Sequence, residues 1–339
     1  MPKRIAQIAV LALALAAGLP ASRALAWADT GHRLIGRLGA EALPEEVPAF
    51  LRAPEAAAQI AELAREPDRS KGVGQPHDGD LDPGHFIDVD DQGRVLGGPL
   101  LTKLPTTRAA YEKALQAAGT DSWKAGYLPY SIIEGWQQLV KDFAYWRVDR
   151  AGEAAGATPE DRAWFTADRR LREGLIVRDL GVWSHYVGDA SQPLHVTVHY
   201  NGWGDSPNPF GFTQDKIHAP FEGEFVRQTV KAEAVRAAMP PPAVCGDPIK
   251  DCVESYLGDT YAQVVPLYRY WGRGDFQSHE PEAIDFTVAR IAAGAAALRD
   301  LVVKAWRASA DASVGYPPIT VRSVEAGRPP PIGNIYGLE

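Results

Sequence analysis

The sequence predicts an all-α protein, a single multi-helix domain with long functional loops around a buried site. Three observations carry that expectation. Apolar residues recur at three- and four-residue intervals in eight stretches, the period of a helix with a buried face. One segment, 65–106, is too long and too irregular to be a mere connection, and such segments are commonly functional. No linker of biased composition and no internal repeat divides the chain, so its length reads as one large domain.

The chain opens Met-Pro-Lys-Arg, runs through an apolar stretch at 8–19 and reaches Ala24-Leu25-Ala26 before Trp27. That is the pattern of a signal peptide over 1–26, cut between Ala26 and Trp27. Its apolar core is short for a membrane span and no other stretch is apolar enough. The expectation is a secreted or periplasmic protein with no transmembrane anchor: a helical domain at 27–310 and a Pro/Gly-rich C-terminal tail at 311–339, clustered around Pro329-Pro330-Pro331. Losing Lys3, Arg4 and Arg23 takes the formal charge from -8 to -11. So acidic a surface excludes coating polyanions by general basicity, and an anionic substrate needs a local attraction.

Taken in order, 31–43 and 56–64 are alanine-rich with helical apolar spacing. Periodicity then dissolves into Gly, Pro and Asp, apart from the run His85-Phe86-Ile87-Asp88-Val89-Asp90. Helical patterns return at 108–118, 131–152, 158–187, 221–238, 252–270 and 281–310. Gly, Pro, Asn and Thr at 196–212 predict a hairpin-like excursion. Cys245 and Cys252 are the only cysteines, and export predicts a disulfide between them, worth roughly 2–3 kcal/mol in the chain-entropy model.

The stretch 179–195 organises the rest. On a helix, His185 and Asp189 stand one turn apart on one face. Ile176, Leu180, Trp183 and Val187 form one apolar stripe, and Leu175, Val182 and Tyr186 another, predicting a helix buried on most sides. A carboxylate on the remaining face lies in a low-dielectric interior and calls for a cation. Gly181 and Gly188 leave room for close approach, Pro193 ends the helix, and His195 follows on a loop able to fold back. A single His-x-x-x-Asp is more often an ion pair than a metal site, so further ligands must decide.

The chain supplies them. Cleavage makes Trp27 a free amino terminus five residues before His32, and an α-amine of pKa about 7.7–8.0 can chelate a metal together with its own carbonyl. Asp68 precedes the irregular segment, with Asp78, Asp80 and Asp82 competing for the same role. His85 sits beside apolar Phe86 and Ile87, and His218 and Glu222 repeat the four-residue spacing around Pro220, best tolerated in a first helical turn. His77, His199 and His279 have no such company and read as surface or structural. Five His, two Asp, one Glu and an amine exceed the four ligands of one tetrahedral zinc and suit about three ions. The mixture of imidazole and carboxylate favours zinc over calcium or magnesium.

Trp27 with His32, His85-Phe86-Ile87-Asp88, His185-x-x-x-Asp189-x-x-Gln192-Pro193-Leu194-His195 and His218-x-x-x-Glu222 together resemble the trinuclear-zinc superfamily of single-strand-specific nucleases and zinc-dependent phospholipases C, over roughly 27–310. The resemblance implies one zinc on Asp68, His85, His185 and Asp189. A second would bind Trp27, through amine and carbonyl, with His32 and the shared Asp189; a third would bind His195, His218 and Glu222. It further implies that Phe86 stacks on a base and Asp88 hydrogen-bonds to it. Lys71 would grip phosphate where Arg is more usual, at the cost of bidentate geometry. Glu222 departs from the nucleases, which usually carry Asp there. Thr30, with Asp29 adjacent, departs from the phospholipase, which has an acid three residues behind its terminal tryptophan. The implied activity is an endonuclease hydrolysing single-stranded DNA or RNA to 5′-phosphate products, with Asp68 orienting or deprotonating the attacking water. A phospholipase C acting at a phospholipid head group is the alternative. From another class, the alternative is an exported metal-binding protein without turnover.

Overall fold

Two long helices, α7 (Leu128–Ala155) and α8 (Pro159–Asp189), form the spine. Their short connection makes them antiparallel neighbours. Thr158 starts α8 through a capping box, accepting from Asp161 N at 3.0 Å while Asp161 accepts from Thr158 N at 3.2 Å. Glycines set how closely α7 approaches: a Cβ at Gly135 would lie 2.0 Å from Trp183 Cδ1, and one at Gly152 2.3 Å from Phe165 Cγ. The computed structural model describes residues 27–71, 78–204, 207–327 and 332–336. The expected signal peptide at 1–26, His77 and parts of the tail lie outside them.

Around the spine pack α1 (Ala28–Glu41), α2 (Pro54–Leu63) and α13 (Pro281–Ser309). Their small residues permit it, since a Cβ on Gly181 would lie 2.5 Å from Leu63 Cβ and one on Gly39 2.8 Å from Leu298 Cδ2. The irregular segment holds α3 (Glu66–Ser70), α4 (Asp78–Leu81) and the 3-10 turn Asp82–His85. Then come α5 (Arg108–Ala117) and α6 (Ser122–Ala125). Of the two apolar stripes on α8, Ile176, Leu180, Trp183 and Val187 are buried as expected. The second stripe is only partly so, because Leu175 is exposed and Val182 and Tyr186 line a groove against α7.

The expected helix at 221–238 is broken into a π-helical segment Pro220–Phe225, α9 (Val226–Thr229) and α10 (Ala232–Ala238). Buried Val230 and Val235 lie five residues apart, which a continuous helix would place about 140° apart around its axis. Extended backbone at Val230 and Lys231 returns both to the core. Likewise 252–270 is two helices, α11 (Ile249–Tyr261) and α12 (Val264–Arg273), because Pro266 has no N–H for a bond to Ala262 and is accommodated in a new first turn. The excursion at 196–212 closes through Trp203 N–H to Thr213 O at 2.8 Å but forms no ladder among the described residues. Cys245 and Cys252 are disulfide-bonded, and Lys304 Nζ donates to the loop carbonyl of Gly246 at 2.7 Å. The tail is structured: β1 (Ser313–Val314) pairs antiparallel with β2 (Ile319–Thr320), Val314 opposite Ile319, followed by α14 (Val321–Glu325) and α15 (Ile332–Tyr336). Val314, Val321, Val324 and Ile335 build a second small core with Ala144, Val148 and Phe165 of the spine. No helix among the described residues is long and apolar enough to cross a membrane.

Asp149 of α7 is fully buried with no hydrogen-bond partner for either carboxylate oxygen. Burial, then the charge of Asp168, push its pKa up to about 8. A carboxyl neutral when folded and ionised when unfolded binds more protons in the folded state, so stability falls as pH rises from about 4 to about 8. Asp149→Asn should flatten that decline and raise the melting temperature at pH 8 by several degrees. A wild-type pH profile in the variant would contradict this.

Candidate metal centre

The C-terminal turn of α8 presents His185 and Asp189, both fully buried, and the fold brings His32, Asp68, His85 and His195 to them. Helix α1 contributes His32, whose ring stacks on His185 at 3.8 Å between centroids. Gly188 makes this possible, since a Cβ there would lie 3.0 Å from His32 Nδ1. Two further segments are clamped to each other: His195 Nδ1 donates to His85 O at 2.7 Å and Ile87 N donates to His195 O at 2.9 Å. His195 lies on the 3-10 turn Pro193–His195, which follows the proline that bars helix continuation. Glu222 sits in the π-helical segment, a widened turn of the kind found at functional sites, and its Oε2 lies 2.8 Å from His218 Nε2.

Asp189 spans the cluster. Its Oδ2 lies 3.0 Å from His85 Nδ1 and 3.4 Å from His185 Nε2, while Oδ1 lies 3.4 Å from His32 Nε2 and 3.7 Å from His195 Nδ1. Three sets of donor atoms result: His32, His185 and Asp189; Asp68, His85 and His185; and His195, His218 and Glu222. The third matches the grouping implied by resemblance. The first two share His185 Nε2, which lies 2.9 Å from His85 Nδ1 and 3.8 Å from Asp68 Oδ1 and whose single lone pair binds one ion at a time.

These residues fit divalent cations. Ligand atoms of a tetrahedral zinc with bonds of about 2.0–2.1 Å are about 3.3 Å apart, and the spacings here straddle that value. His185 Nδ1 donates to Ala64 O at 2.7 Å, and His195 Nδ1 to His85 O, so each Nε2 keeps its lone pair for the cluster. Both His32 nitrogens, Asp189 Oδ1 and Glu222 Oε1 are buried with no hydrogen-bond partner. Buried ionic groups left uncompensated cost several kcal/mol, which a cation offsets. Burial, then the charge of His32, hold His185 well below the usual imidazole range, so it is neutral as a ligand must be. Burial opposes ionisation of Asp189, but His185 and His195 override it and keep the carboxyl well below its usual range. Glu222 is likewise drawn down to about 2, against burial, by His218 and His195.

Of the four competing aspartates, Asp68 supplies the ligand-range oxygen; Asp82 lines the adjoining cavity, Asp80 offers its carbonyl to Tyr127 OH, and nothing is described of the Asp78 side chain. Trp27 is fully buried, its Nε1 donating to Ser191 Oγ at 2.9 Å and its ring 5.5 Å from that of Phe221, which wedges it between the end of α8 and the segment carrying Glu222. His199 is structural, bonded to Asp91 at 2.9 Å and stacked on Trp203, and His279 is exposed. The cluster opens on a cavity of about 620 Å³, lined by Lys71, Phe86 and Asp88 with His85, His195 and His218. Lys71 Nζ lies 2.8 Å from Asp68 Oδ1. Burial pushes Asp88 up to about 7, against the pull of His195.

Sequence reasoning passed over Trp123, Lys124 and Tyr200, which line the same cavity, and assigned no role to Gln192, whose Nε2 donates to Glu222 Oε2 at 3.0 Å. The turn signals around Trp123 and the position of Gln192 inside the ligand motif were the available clues. The chain matches no protein-family model, no curated protein and no solved structure.

Burial opposes protonation of His195, but Asp189 and Glu222 outweigh it and hold the imidazole above its usual range, so a proton competes with a cation at Nε2. Cation affinity should therefore rise from about pH 5 to about pH 8 as that proton is lost. Chelator competition across this range checks it, and a constant affinity would contradict it.

Proposed function

We propose that the chain is an exported zinc-dependent phosphodiesterase that cleaves single-stranded nucleic acid. The observation that carries this reading is the opening of the Asp189-centred cluster onto a cavity that holds a cation, Lys71, and an aromatic face, Phe86. Imidazole mixed with carboxylate is a donor set suited to zinc, and the bound ions supply Lewis acidity at a phosphoryl oxygen and acidify water. Asp68, its side chain 13% exposed and paired with the cavity-lining Lys71, offers a carboxylate oxygen that can orient an attacking water or take its proton. Lys71 Nζ beside it donates to a non-bridging oxygen and stabilises charge as it develops. Phe86 offers its face to a base, which must be unstacked to use it, hence the preference for single strands. Asp88 sits in the same cavity to hydrogen-bond that base.

Export is part of the proposal. The disulfide suits an oxidising compartment. Trp27 has φ of 25°, a left-handed value that costs a non-glycine residue about 1–2 kcal/mol. Cleavage after Ala26 abolishes that torsion and frees an α-amine on the residue that leads into the helix carrying His32, which on this proposal joins His32 and Asp189 as a ligand.

Denatured DNA, RNA and phosphatidylcholine assayed side by side test the reading: turnover of the nucleic acids, lost on chelation, is expected. Turnover of the lipid alone would replace it with a phospholipase C, and no turnover with zinc retained would leave a metal-binding protein. Asp68→Asn should lose about 10²- to 10⁴-fold in kcat/KM with most metal kept. Asp189→Asn should lose more, and metal with it. Equal metal and equal activity in the two variants would contradict the bridging role.

A further inference from the structure

Helix α6 carries two side chains into the cavity that the site described above leaves without a task. Trp123 is 60% exposed, and Lys124 stands next to it. Among the described residues the Trp123 ring has no aromatic partner and its Nε1 no hydrogen bond. Its neighbour across the cavity wall is Gly79, where an added Cβ would still lie 3.8 Å from Nε1.

The backbone beneath is fixed. Asp121 accepts from Lys124 N at 2.9 Å, Glu112 from Ser122 N at 3.1 Å, and Ala125 O from Asp88 N at 2.9 Å. Gly126, at φ 75°, receives Tyr111 OH on its carbonyl at 2.8 Å, and a Cβ there would lie 2.0 Å from Phe86 O. So α6 is locked directly onto the strand of chain that presents Phe86 and Asp88. A bare indole on a rigid turn loses little entropy on stacking, and a tryptophan face takes any base.

We propose that Trp123 is a second nucleobase platform, stacking the base that neighbours the one on Phe86, with Lys124 contacting a phosphate of the same strand. The inference rests on the nuclease reading for its ligand, a single strand of two or more nucleotides. A tryptophan can also anchor at a bilayer surface. Here it lines one cavity together with Phe86 and two lysines, Lys71 and Lys124, which favours the nucleotide.

The test compares thymidylyl-thymidine, with two bases, and thymidine 3′-(methyl phosphate), with one. The ratio of their kcat/KM values isolates the second base. Trp123→Ala should lower that ratio by about 5- to 150-fold, the range of one base–aromatic stack, and Trp123→Phe should restore most of it. A ratio unchanged by Trp123→Ala, including a parallel loss on both substrates, would overturn the proposal. Binding of a fluorescent phosphorothioate oligothymidylate to the metal-loaded protein separates this inference from the activity: weaker binding by Trp123→Ala supports it even if neither substrate is cleaved. Lys124→Ala should reduce the slope of log Kd against log salt by about 0.7, one single-strand phosphate contact. An unchanged slope removes Lys124 from the platform. Loss of binding to phosphatidylcholine vesicles in Trp123→Ala, with oligonucleotide binding intact, would assign the indole to a membrane and overturn the proposal.

Discussion

A single buried carboxylate, Asp189, faces four imidazoles with its two oxygens, and the arrangement of the surrounding helices follows from that crowding. Five polar side chains cannot be packed at 3.0–3.7 Å in an apolar interior by hydrogen bonds alone, because too few protons are available to place between them. Each outer bond that does exist, Ala64 O to His185 and His85 O to His195, takes the proton away from the centre. The three sets of donor atoms could hold cations, whose positive charge would satisfy the oxygens and nitrogens that these bonds leave unpaired.

Close approach of backbones is the means. Gly188 admits the His32 ring beside α8, Gly181 and Gly39 bring α2 and α13 near, and Gly126 lets the cavity wall ride on Phe86 O. The π-helical turn at Pro220–Phe225 and the 3-10 turn at Pro193–His195 do the rest, aiming Glu222 and His195 from segments that a regular helix would have pointed elsewhere. Rigid elements thus carry both the ligands and the aromatic faces around one cavity.

Much of this was legible in the sequence because its signals are periodic or chemical. The spacing of Ile176, Leu180, Trp183 and Val187 gives a helix, and four-residue spacing puts His185 and Asp189 on one side of it. What stayed hidden depends on tertiary contact. The double reach of His185 needs the stacking of His32 from another helix, and the choice of Asp68 over its neighbours needs the path of α3 past α8. The break at Val230 carries no Gly or Pro, so only the burial of Val235 reveals it. Pro266 was readable in advance as a helix start and is where the periodic reading ran two helices together. The tail reads as a Pro/Gly-rich segment, yet Val314, Val321, Val324 and Ile335, spread along it, pack into a core with the spine.

The most direct measurement is the metal content of protein beginning at Trp27 and purified without chelators. Elemental analysis should find about three zinc ions per chain, shared among the eight donor side chains that the fold gathers. One ion or none, in folded protein, would contradict the account that the interior is built around cations.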